Sequence, residues 1–390
     1  MATNHDIRET ANMGPFSEFS VVYTDRALNH MAPPFVSTMQ SISSTLKNTY
    51  NADHTVLIPG SGTYAMEAVV RQYVHSGHPV VVRNGWFSFR WTEIFQSMGM
   101  DETTHSVMKA LPQSGGVIGE SHYAPHPIDD VVSQILEDKP PAVFAPHVET
   151  STGMMLSDEY IMKLSEAAKE VGAVMVLDCI ASGTAWVDMK KLGLDVVISA
   201  PQKGWSGPAG VGIAMLSQSA YDKMQTTEST SFCVNLKKWS DMMNLYEAGG
   251  FGYHTTMPTD AIRAFDEVAN EQKVIGLDHL CAMQYKMGIL ARSMLESKGL
   301  RSVAAPGFQA PGVLVYYSPA GYDNMSIVKK FKEYGMQIAA GVRWRVDEPD
   351  GLLTFRIGLF GIDKLQDVEG TVGKLEKAID YVMSSVVSKL

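Results

Sequence analysis

Short apolar runs alternate with helix-like patterns over residues 55 to 215, and this alternation constrains the fold more than any other feature of the sequence. Between the runs, residues 66–74 and 158–171 carry apolar side chains at helical spacing, and Gly172 is a natural end for the second segment. The pattern predicts an α/β fold with a mostly parallel sheet covered by helices. The apolar runs are residues 55–58, 80–83, 142–145, 173–177, 196–199 and 211–216.

The last third of the chain has a different order of elements. A long helical region at about residues 259–298 precedes two apolar runs, residues 312–317 and 352–357, and a helical pattern over residues 368–387. We expect this section to form a smaller C-terminal α+β domain. The predicted units are residues 1–275, which hold an N-terminal segment and the large domain, and residues 276–390.

Composition and charge exclude several classes of protein. The chain of 390 residues is 45% hydrophobic and has a formal net charge of −10, with no basic run that could follow a phosphate backbone. Nucleic acid is therefore not expected as a partner, and no segment is apolar enough for a membrane helix or a secretory signal. The widely spaced Cys179, Cys233 and Cys281 fit neither a disulfide framework nor a zinc site, and they indicate a reducing compartment.

A lysine and an aspartate follow two of the buried runs. Lys203 comes shortly after the run that ends at Ser199, before a glycine-rich turn, and Asp178 ends the run that begins at residue 173. Ligands of α/β proteins bind at such strand ends. A desolvated lysine becomes nucleophilic, and a buried carboxylate needs a cationic partner. A solvated lysine and a turn-capping aspartate are the alternatives, but the position after apolar strands favours a functional pair.

A glycine-rich loop, Gly60-Ser61-Gly62-Thr63, follows the first apolar run. Glycines let the backbone approach an anion, the next helix offers free N–H groups, and two hydroxyls add donors. The spacing of Gly60, Gly62 and Ala65 also fits the dinucleotide-binding fingerprint, which requires an acid at the end of the second strand. Arg83 and Asn84 stand there instead. The loop therefore predicts a phosphate site.

Together these groups meet the requirements of pyridoxal 5′-phosphate (PLP). The cofactor needs a lysine for its aldehyde, an acid for its pyridinium nitrogen, donors for its phosphate and a flat group over its ring. We expect Lys203 to bind the aldehyde as a Schiff base and Asp178 to keep the ring an electron sink. Residues 1–275 would then hold the PLP-binding domain.

With these residues in place, nearly the whole chain resembles the alanine–glyoxylate and serine–pyruvate aminotransferases, within the class V group of fold-type I PLP enzymes. The shared motifs are the loop at residues 60–63, the Asn-Gly-x-aromatic segment at 84–87, the His-x-Glu-x-Ser-Thr-Gly stretch at 147–153 and the lysine loop at 199–203. The resemblance implies that Phe87 stacks over the ring, with Trp86 as the alternative, and that Ser151 lies near the phenolic oxygen. It assigns the phosphate to Ser61, Gly62, Thr63 and Gln202.

The resemblance also implies a homodimer and a substrate site. Tyr253 and Thr256 resemble residues that reach across the dimer interface to the partner's cofactor phosphate. Arg356 is similar to the family arginine that grips the substrate carboxylate with a planar fork. The implied reaction is a ping-pong transamination in which Lys203 moves the proton between the substrate Cα and C4′ of the cofactor. Alanine or serine would be the donor and a 2-oxo acid, glyoxylate, the acceptor.

Two departures from the family pattern leave the substrates open. The segment around Asp25 lacks the family's Gly-Pro-rich opening, and the extra Arg343 and Arg345 could read a second acidic group or face water beside neighbouring acids. Ureidoglycine–glyoxylate, aspartate–glyoxylate and 2-aminoethylphosphonate transaminases therefore stay open. So do a non-catalytic PLP-fold protein and a dinucleotide-binding protein.

The final tripeptide, Ser388-Lys389-Leu390, matches the signal that the peroxisomal import receptor reads at a free C-terminus. The alternative is a chance ending, because a match of three residues is short. We expect the peroxisome as the location, and otherwise the cytoplasm.

Overall fold

A computed structural model describes residues 16–113 and 121–387, and its centre is a seven-stranded sheet. Within these residues the strand over Val211–Leu216 runs antiparallel to its two neighbours, whereas the other pairs of the sheet are parallel. The predicted α/β fold with a mostly parallel sheet is confirmed. The strands in spatial order are β1 (His54–Pro59), β11 (Val211–Leu216), β10 (Val196–Ser199), β9 (Val174–Asp178), β6 (Ala142–Pro146), β2 (Val80–Arg83) and β3 (Ser106–Lys109).

The strands of the sheet are buried along almost their whole length, because helices cover the sheet. The helix over 158–170 illustrates the local signals, since the side chain of Ser157 accepts from the N–H of Tyr160 at its start and Gly172 takes a φ of 73° after its end. The helices are α1 (Pro33–Tyr50), α2 (Gly62–Tyr73), α3 (Trp86–Ser97), α4 (Ile128–Asp138), α5 (Asp158–Glu170), α6 (Met189–Leu192), α7 (Gln218–Gln225), α8 (Leu236–Glu247) and α9 (Thr259–Ile275).

Short strand pairs lie outside the large sheet. One joins β4 (Leu111–Pro112) to β5 (Tyr123–Ala124), and the other joins β7 (Val148–Glu149) to β8 (Met154–Met155). The second pair closes the segment that follows β6, and it therefore fixes the loop at residues 150–153 beside the carboxyl end of the central strands.

The C-terminal section packs around a second apolar cluster, which includes Leu280, Tyr316, Phe331, Phe355 and Ile379. The long helical pattern over residues 259–298 forms two helices that Gly276 separates, with a φ of 105°. The predicted domain boundary falls at this junction, and the division into two domains stays a prediction. The elements are α10 (Leu277–Ser297), β12 (Val313–Tyr317), α11 (Asn324–Glu333), β13 (Ala339–Ala340), β14 (Thr354–Gly358), α12 (Ile362–Gln366) and α13 (Val368–Val387).

The position of β1 bears on the dinucleotide alternative. In dinucleotide-binding folds the first strand lies in the middle of the sheet beside the second. Here β1 lies at an edge beside the antiparallel β11, and β2 lies at the far side between β6 and β3. The glycine-rich loop therefore follows an edge strand, and the strand order removes the structural support for a dinucleotide site.

Two features are absent from residues 16–113 and 121–387. There, no helix is long and apolar enough to cross a membrane. Within the same ranges, no group of three or more His, Cys, Asp and Glu side chains is placed to hold a metal ion.

Candidate active site

The loops that follow five strands meet at one edge of the central sheet, because β1, β2, β6, β9 and β10 all point the same way. Between these loops lies a cavity of about 190 Å³. The structure brings together most of the residues that the sequence predicted for the cofactor, although Ser151, Tyr253, Thr256 and Arg356 are not among those that line the cavity. The predicted residues that line it are Ser61, Gly62, Thr63, Phe87, Asp178, Gln202 and Lys203.

Lys203 lies in the loop after β10, half-buried at the cavity wall. Its Nζ is 5.5 Å from the ring centroid of Phe360. Burial lowers the pKa of Lys203, and the positive charges of Arg356 and Arg90 lower it further, against the opposing effect of Asp178. A lysine in this environment holds a larger share of neutral amine, the form that attacks an aldehyde or accepts a proton.

Asp178 ends β9, one strand away from Lys203, and is almost fully buried. Its carboxylate accepts a hydrogen bond from the N–H of Ile180 at 2.9 Å. Burial raises its pKa to about 7, and the neighbouring charge of Glu149 also raises it, while that hydrogen bond and the cations Arg90 and Lys203 lower it. This carboxyl has no ion-pair partner within the described residues, so a cationic ring nitrogen would supply what the site lacks.

A buried histidine supports the Asp178 segment. The N–H of His147 donates to the carbonyl oxygen of Asp178 at 2.8 Å, and its Nδ1 lies 2.7 Å from the hydroxyl of Ser182. Burial lowers the pKa of His147 to about 4, so its ring is neutral at pH 7. His147 therefore braces two neighbouring loops without adding charge to the site.

The phosphate loop joins β1 to α2. Ser61 is the N-cap residue of α2 in an extended conformation, and its side chain makes no capping hydrogen bond, so this hydroxyl is not used within the helix. A Cβ at Gly62 would lie 2.5 Å from Cδ1 of Ile180, so a larger residue here would require the Ile180 side chain to move. The N-terminus of α2 and the hydroxyls of Ser61 and Thr63 thus face the same cavity, as an anion site requires.

The first turn of α3 supplies the aromatic side chain. Phe87 lines the cavity, whereas Trp86, the alternative, does not. The buried carboxylate of Glu149 accepts hydrogen bonds from the N–H groups of Phe87 and Ser88 at 3.2 and 2.9 Å. An acidic group at a helix N-terminus is favourable, so Glu149 fixes the turn that presents Phe87.

The hydroxyl of Ser151 has two protein partners. It accepts from the N–H of Trp86 at 2.9 Å and donates to Glu149 at 2.8 Å. The neighbouring residue Thr150 lines the cavity instead. The assignment of Ser151 to the phenolic oxygen therefore stays a prediction, and Thr150 is the hydroxyl residue of this stretch that the sequence reasoning missed.

Arg356 lies in β14 of the small sheet, with its guanidinium carbon 5.8 Å from the Phe87 ring centroid. Its Nε donates to the carbonyl oxygen of Ala340 on the paired strand β13 at 2.7 Å. This bond orients the guanidinium and leaves its two terminal nitrogens for a carboxylate. Its charge is close enough to Lys203 to lower the pKa of that amine.

The two extra arginines behave differently from each other. Arg343 is exposed and forms an ion pair with Asp350 at 3.1 Å. Arg345 has a φ of 63° and places its guanidinium 5.2 and 5.3 Å from the rings of Trp86 and Phe89. Arg343 therefore faces water beside an acid, whereas Arg345 packs on the aromatic side chains at the start of α3.

Tyr253 and Thr256 lie away from the cavity of their own chain. The tyrosine side chain is 54% exposed, and its hydroxyl is 3.2 Å from that of Thr256. The ring of Tyr253 packs against His30 at a centroid distance of 5.5 Å. A role at the cofactor of a second chain stays a prediction.

Comparison with known proteins identifies the family. A family model described as aminotransferase class-V matches residues 9–344. The chain belongs to the class V aminotransferases. Alanine–glyoxylate aminotransferase 1 of Saccharomyces cerevisiae is 25% identical over 355 residues, which is 86% of each chain. A 2-aminoethylphosphonate–pyruvate transaminase of Syntrophobacter fumaroxidans is 29% identical over 316 residues, 79% of this chain and 77% of that relative.

The fold of this class V aminotransferase also matches solved structures. The crystal structure of alanine–glyoxylate aminotransferase from Nostoc sp. superimposes with a TM-score of 0.76 at 20% identity, covering 96% of this chain and 92% of that one. The predicted family is confirmed. At this identity the structural likeness supports the fold and carries no information about substrates.

As a class V aminotransferase, the protein is a PLP-dependent transaminase. The cavity fits this cofactor on its own evidence: a buried carboxyl without a cation, a lysine with a lowered pKa and an unused hydroxyl at a helix N-terminus line the same space. Asp178 would hold the ring nitrogen, Lys203 the aldehyde carbon, and the loop at Ser61 to Thr63 the phosphate. The predicted cofactor is confirmed, whereas the role of each residue stays a prediction.

Proposed function

We propose that this enzyme moves the amino group of a small amino acid, alanine or serine, to a 2-oxo acid, with glyoxylate as the first candidate. Arg356 carries the proposal. Its Nε is bound to the carbonyl oxygen of Ala340, so its two terminal nitrogens remain for the single carboxylate that alanine, serine and glyoxylate each carry. The resemblance to alanine–glyoxylate aminotransferases supports the same pair of substrates.

The residues at the site account for the steps of a transamination. When bound, PLP supplies the electron sink that stabilises negative charge at the substrate Cα. Arg356 would hold the carboxylate of the amino acid and so orient the Cα–H bond toward Lys203. The amine of Lys203, with its lowered pKa, would accept that proton and return it at C4′ of the cofactor. The second half-reaction would use the same groups in reverse with the keto acid.

A donor with an acidic side chain, or with a phosphonate in place of the carboxylate, is the other candidate, and Arg345 is the observation that favours it. Arg345 forms no ion pair within the described residues and packs on the turn of α3 that also carries Phe87. One of the relatives is named for 2-aminoethylphosphonate. Aspartate and 2-aminoethylphosphonate are therefore the acidic donors to test, with ureidoglycine as a further amino donor.

A half-reaction screen tests the proposal. Each amino acid is mixed with the cofactor-loaded enzyme, loss of the visible cofactor band is followed, and its return is followed with glyoxylate, pyruvate and 2-oxoglutarate. We expect the largest kcat/KM for alanine or serine with glyoxylate. A clear preference for aspartate or 2-aminoethylphosphonate, lost in Arg345→Gln but kept in the matched control Arg343→Gln, would replace the proposal with the acidic-donor one.

We also propose a homodimer in which Tyr253 and Thr256 serve the partner's phosphate site. Their exposure and their distance from their own cavity support this arrangement. Light scattering at several concentrations measures the state of assembly. In mixed dimers, Tyr253→Phe on one chain should weaken PLP binding at a site built on the other chain, and weakening only at the site of the mutated chain would contradict the proposal.

The C-terminal tripeptide Ser388-Lys389-Leu390 lies outside the described residues. We propose that it directs import into peroxisomes. A fluorescent protein fused in front of residues 376–390 should collect in punctate organelles of a eukaryotic cell. The same fusion without the last three residues should stay diffuse, and punctate signal from both fusions would argue against the tripeptide.

A further inference from the structure

Among the residues that line the cofactor cavity, Arg90 is a cation without an assigned role, and a bound phosphate group would place negative charge beside it. A phosphate monoester carries a charge of about −1.5 to −2 at pH 7. The charged residues among those that line the cavity are Arg90, Asp178 and Lys203. Asp178 and Lys203 are assigned to the ring nitrogen and the aldehyde carbon, and the loop at residues 61–63 and Gln202 offer neutral donors. Arg90 is therefore the cation that remains for the phosphate.

The geometry places the Arg90 guanidinium at the phosphate loop. Its Nη1 donates to Oγ1 of Thr63 at 2.7 Å, across the gap between α3 and α2. Its guanidinium carbon lies 4.9 Å from the ring centroid of Phe87, one helical turn earlier on the same helix. The guanidinium thus lies between the aromatic wall of the cavity and the loop that ends at Thr63.

Two further observations concern the donors at this point. Arg90 forms no ion pair with a carboxylate in the part of the chain that the structure describes, and a guanidinium has five N–H groups. The hydroxyl of Thr63 accepts from Arg90, so its own hydrogen is free to be donated to another acceptor. An anion at the N-terminus of α2 would receive the Thr63 hydroxyl hydrogen and charge-assisted bonds from the same guanidinium.

We propose that Arg90 binds the phosphate of PLP and orients the Thr63 hydroxyl toward it. The inference rests on the cofactor and is independent of the substrate that the enzyme uses. The competing explanation is that Arg90 only holds the Phe87 ring in place by a cation–π contact. The two explanations differ in how they treat a cofactor that lacks its phosphate.

Equilibrium binding to the cofactor-free full-length protein separates them without any substrate. Dissociation constants are measured for PLP and for pyridoxal, with the wild type, Arg90→Gln and Arg90→Lys. We expect Arg90→Gln to weaken PLP binding by about ten- to one-hundredfold, the range for a hydrogen bond to a charged group, and pyridoxal binding by less than about threefold. Arg90→Lys should recover part of the difference because it keeps the charge.

The matched control is Arg71→Gln, which removes the same charge from α2, where Arg71 pairs with Glu67 outside the cavity. It should leave both constants unchanged. Equal weakening of PLP and pyridoxal in Arg90→Gln, or no change in either, would overturn the proposal. Inorganic phosphate supplies a second readout: it should raise the thermal midpoint of the cofactor-free wild type and of Arg71→Gln more than that of Arg90→Lys, and equal shifts in all three would also overturn it.

Discussion

The carbonyl oxygen of Gly183 packs against Cα of Gly204, the residue after Lys203, so closely that a Cβ there would overlap it. The loop after β9 and the lysine loop after β10 therefore touch through their backbones. This contact sets the position of Lys203 relative to the Asp178 strand, and a side chain at residue 204 must separate the two loops.

Replacing Gly204 by alanine should displace Lys203. We expect a loss of about 2 kcal/mol or more in the free energy of unfolding, because the overlap is with backbone atoms, and a large loss of kcat. Urea denaturation and the visible cofactor band measure the two effects. The control is Gly373→Ala in α13, where a Cβ meets no atom within 4 Å and helix propensity favours alanine by up to about 1 kcal/mol. Equal stability of the two variants would contradict the steric argument.

The Asp178 carboxyl should make the cofactor-free protein less stable as the pH rises. Its folded pKa of about 7 lies above the unfolded value near 4, so the native state binds the extra proton and stability falls between those two pH values. Asp178→Asn removes this dependence. We expect its thermal midpoint to exceed that of the cofactor-free wild type by an amount that grows up to about pH 7 and then levels off.

With PLP present, the wild type should have a higher thermal midpoint than Asp178→Asn, because the ring nitrogen supplies the cation that the carboxylate lacks. Asp178→Asn should then bind PLP more weakly than the wild type at pH 8. If the thermal midpoints of the two proteins change in parallel from pH 5 to pH 8 without the cofactor, burial does not raise the pKa of this carboxyl.

Thr150 and Ser151 should separate cofactor binding from local stability. Ser151→Ala removes a donor to the buried Glu149, so we expect a cost of about 1 to 3 kcal/mol in unfolding with PLP affinity nearly unchanged. Thr150→Val keeps the shape of a side chain that lines the cavity and removes its hydroxyl, so it should weaken PLP binding instead. If PLP binding is weakened in Ser151→Ala and not in Thr150→Val, the role that the family resemblance implies for Ser151 is supported.

Arg356→Ala should raise KM for both the amino acid and the keto acid by about ten- to one-hundredfold, since each loses a charge-assisted pair of hydrogen bonds. PLP should stay bound, because Arg356 does not line the cofactor cavity. Arg356→Lys serves as the conservative comparison and should recover only part of the affinity, because an ammonium cannot form the two parallel bonds. Loss of the cofactor band in Arg356→Ala would contradict the assignment of Arg356 to the substrate carboxylate.

Lys203→Ala should leave a folded protein that no longer bonds covalently to PLP. Borohydride treatment followed by mass spectrometry should find the cofactor mass on the wild type and not on the variant, and kcat should fall by at least about 10². Cofactor mass on another lysine of the variant would reassign the residue.

Six of the seven strands of the large sheet were predictable because each is a largely apolar run, and the five loops then follow from the parallel direction of those runs. The edge strand β3 was missed because its sequence, Ser-Val-Met-Lys, mixes polar and apolar side chains. The site residues Lys203 and Asp178 directly follow such runs, so elementary rules find them. The glycine-rich phosphate loop was found from its own composition, whereas Phe87 needed the family resemblance to be recognised.

Other features depend on contacts that no local pattern encodes. Thr150 rather than Ser151 lines the cavity because Glu149 and Trp86 engage the serine hydroxyl, and Trp86 comes from a different strand end. Arg90 was missed although it lies three residues after Phe87, because only the approach of α3 to α2 gives its side chain a partner at Thr63. The helical pattern over residues 259–298 predicted one long helical region. The break between two helices at Gly276 was not predicted, because no change in the apolar pattern marks it.

Two contacts hold the loop over residues 341–351: Glu348 accepts hydrogen bonds from the N–H groups of Trp344, Arg345 and Val346, and the buried ring of Trp344 packs on Tyr123. Exposed Arg345 at its tip can therefore be exchanged without disturbing the sheet that carries Lys203 and Asp178. Under the acidic-donor proposal, such an arrangement lets mutation and selection change which amino acids an enzyme accepts while the machinery for the cofactor is inherited intact.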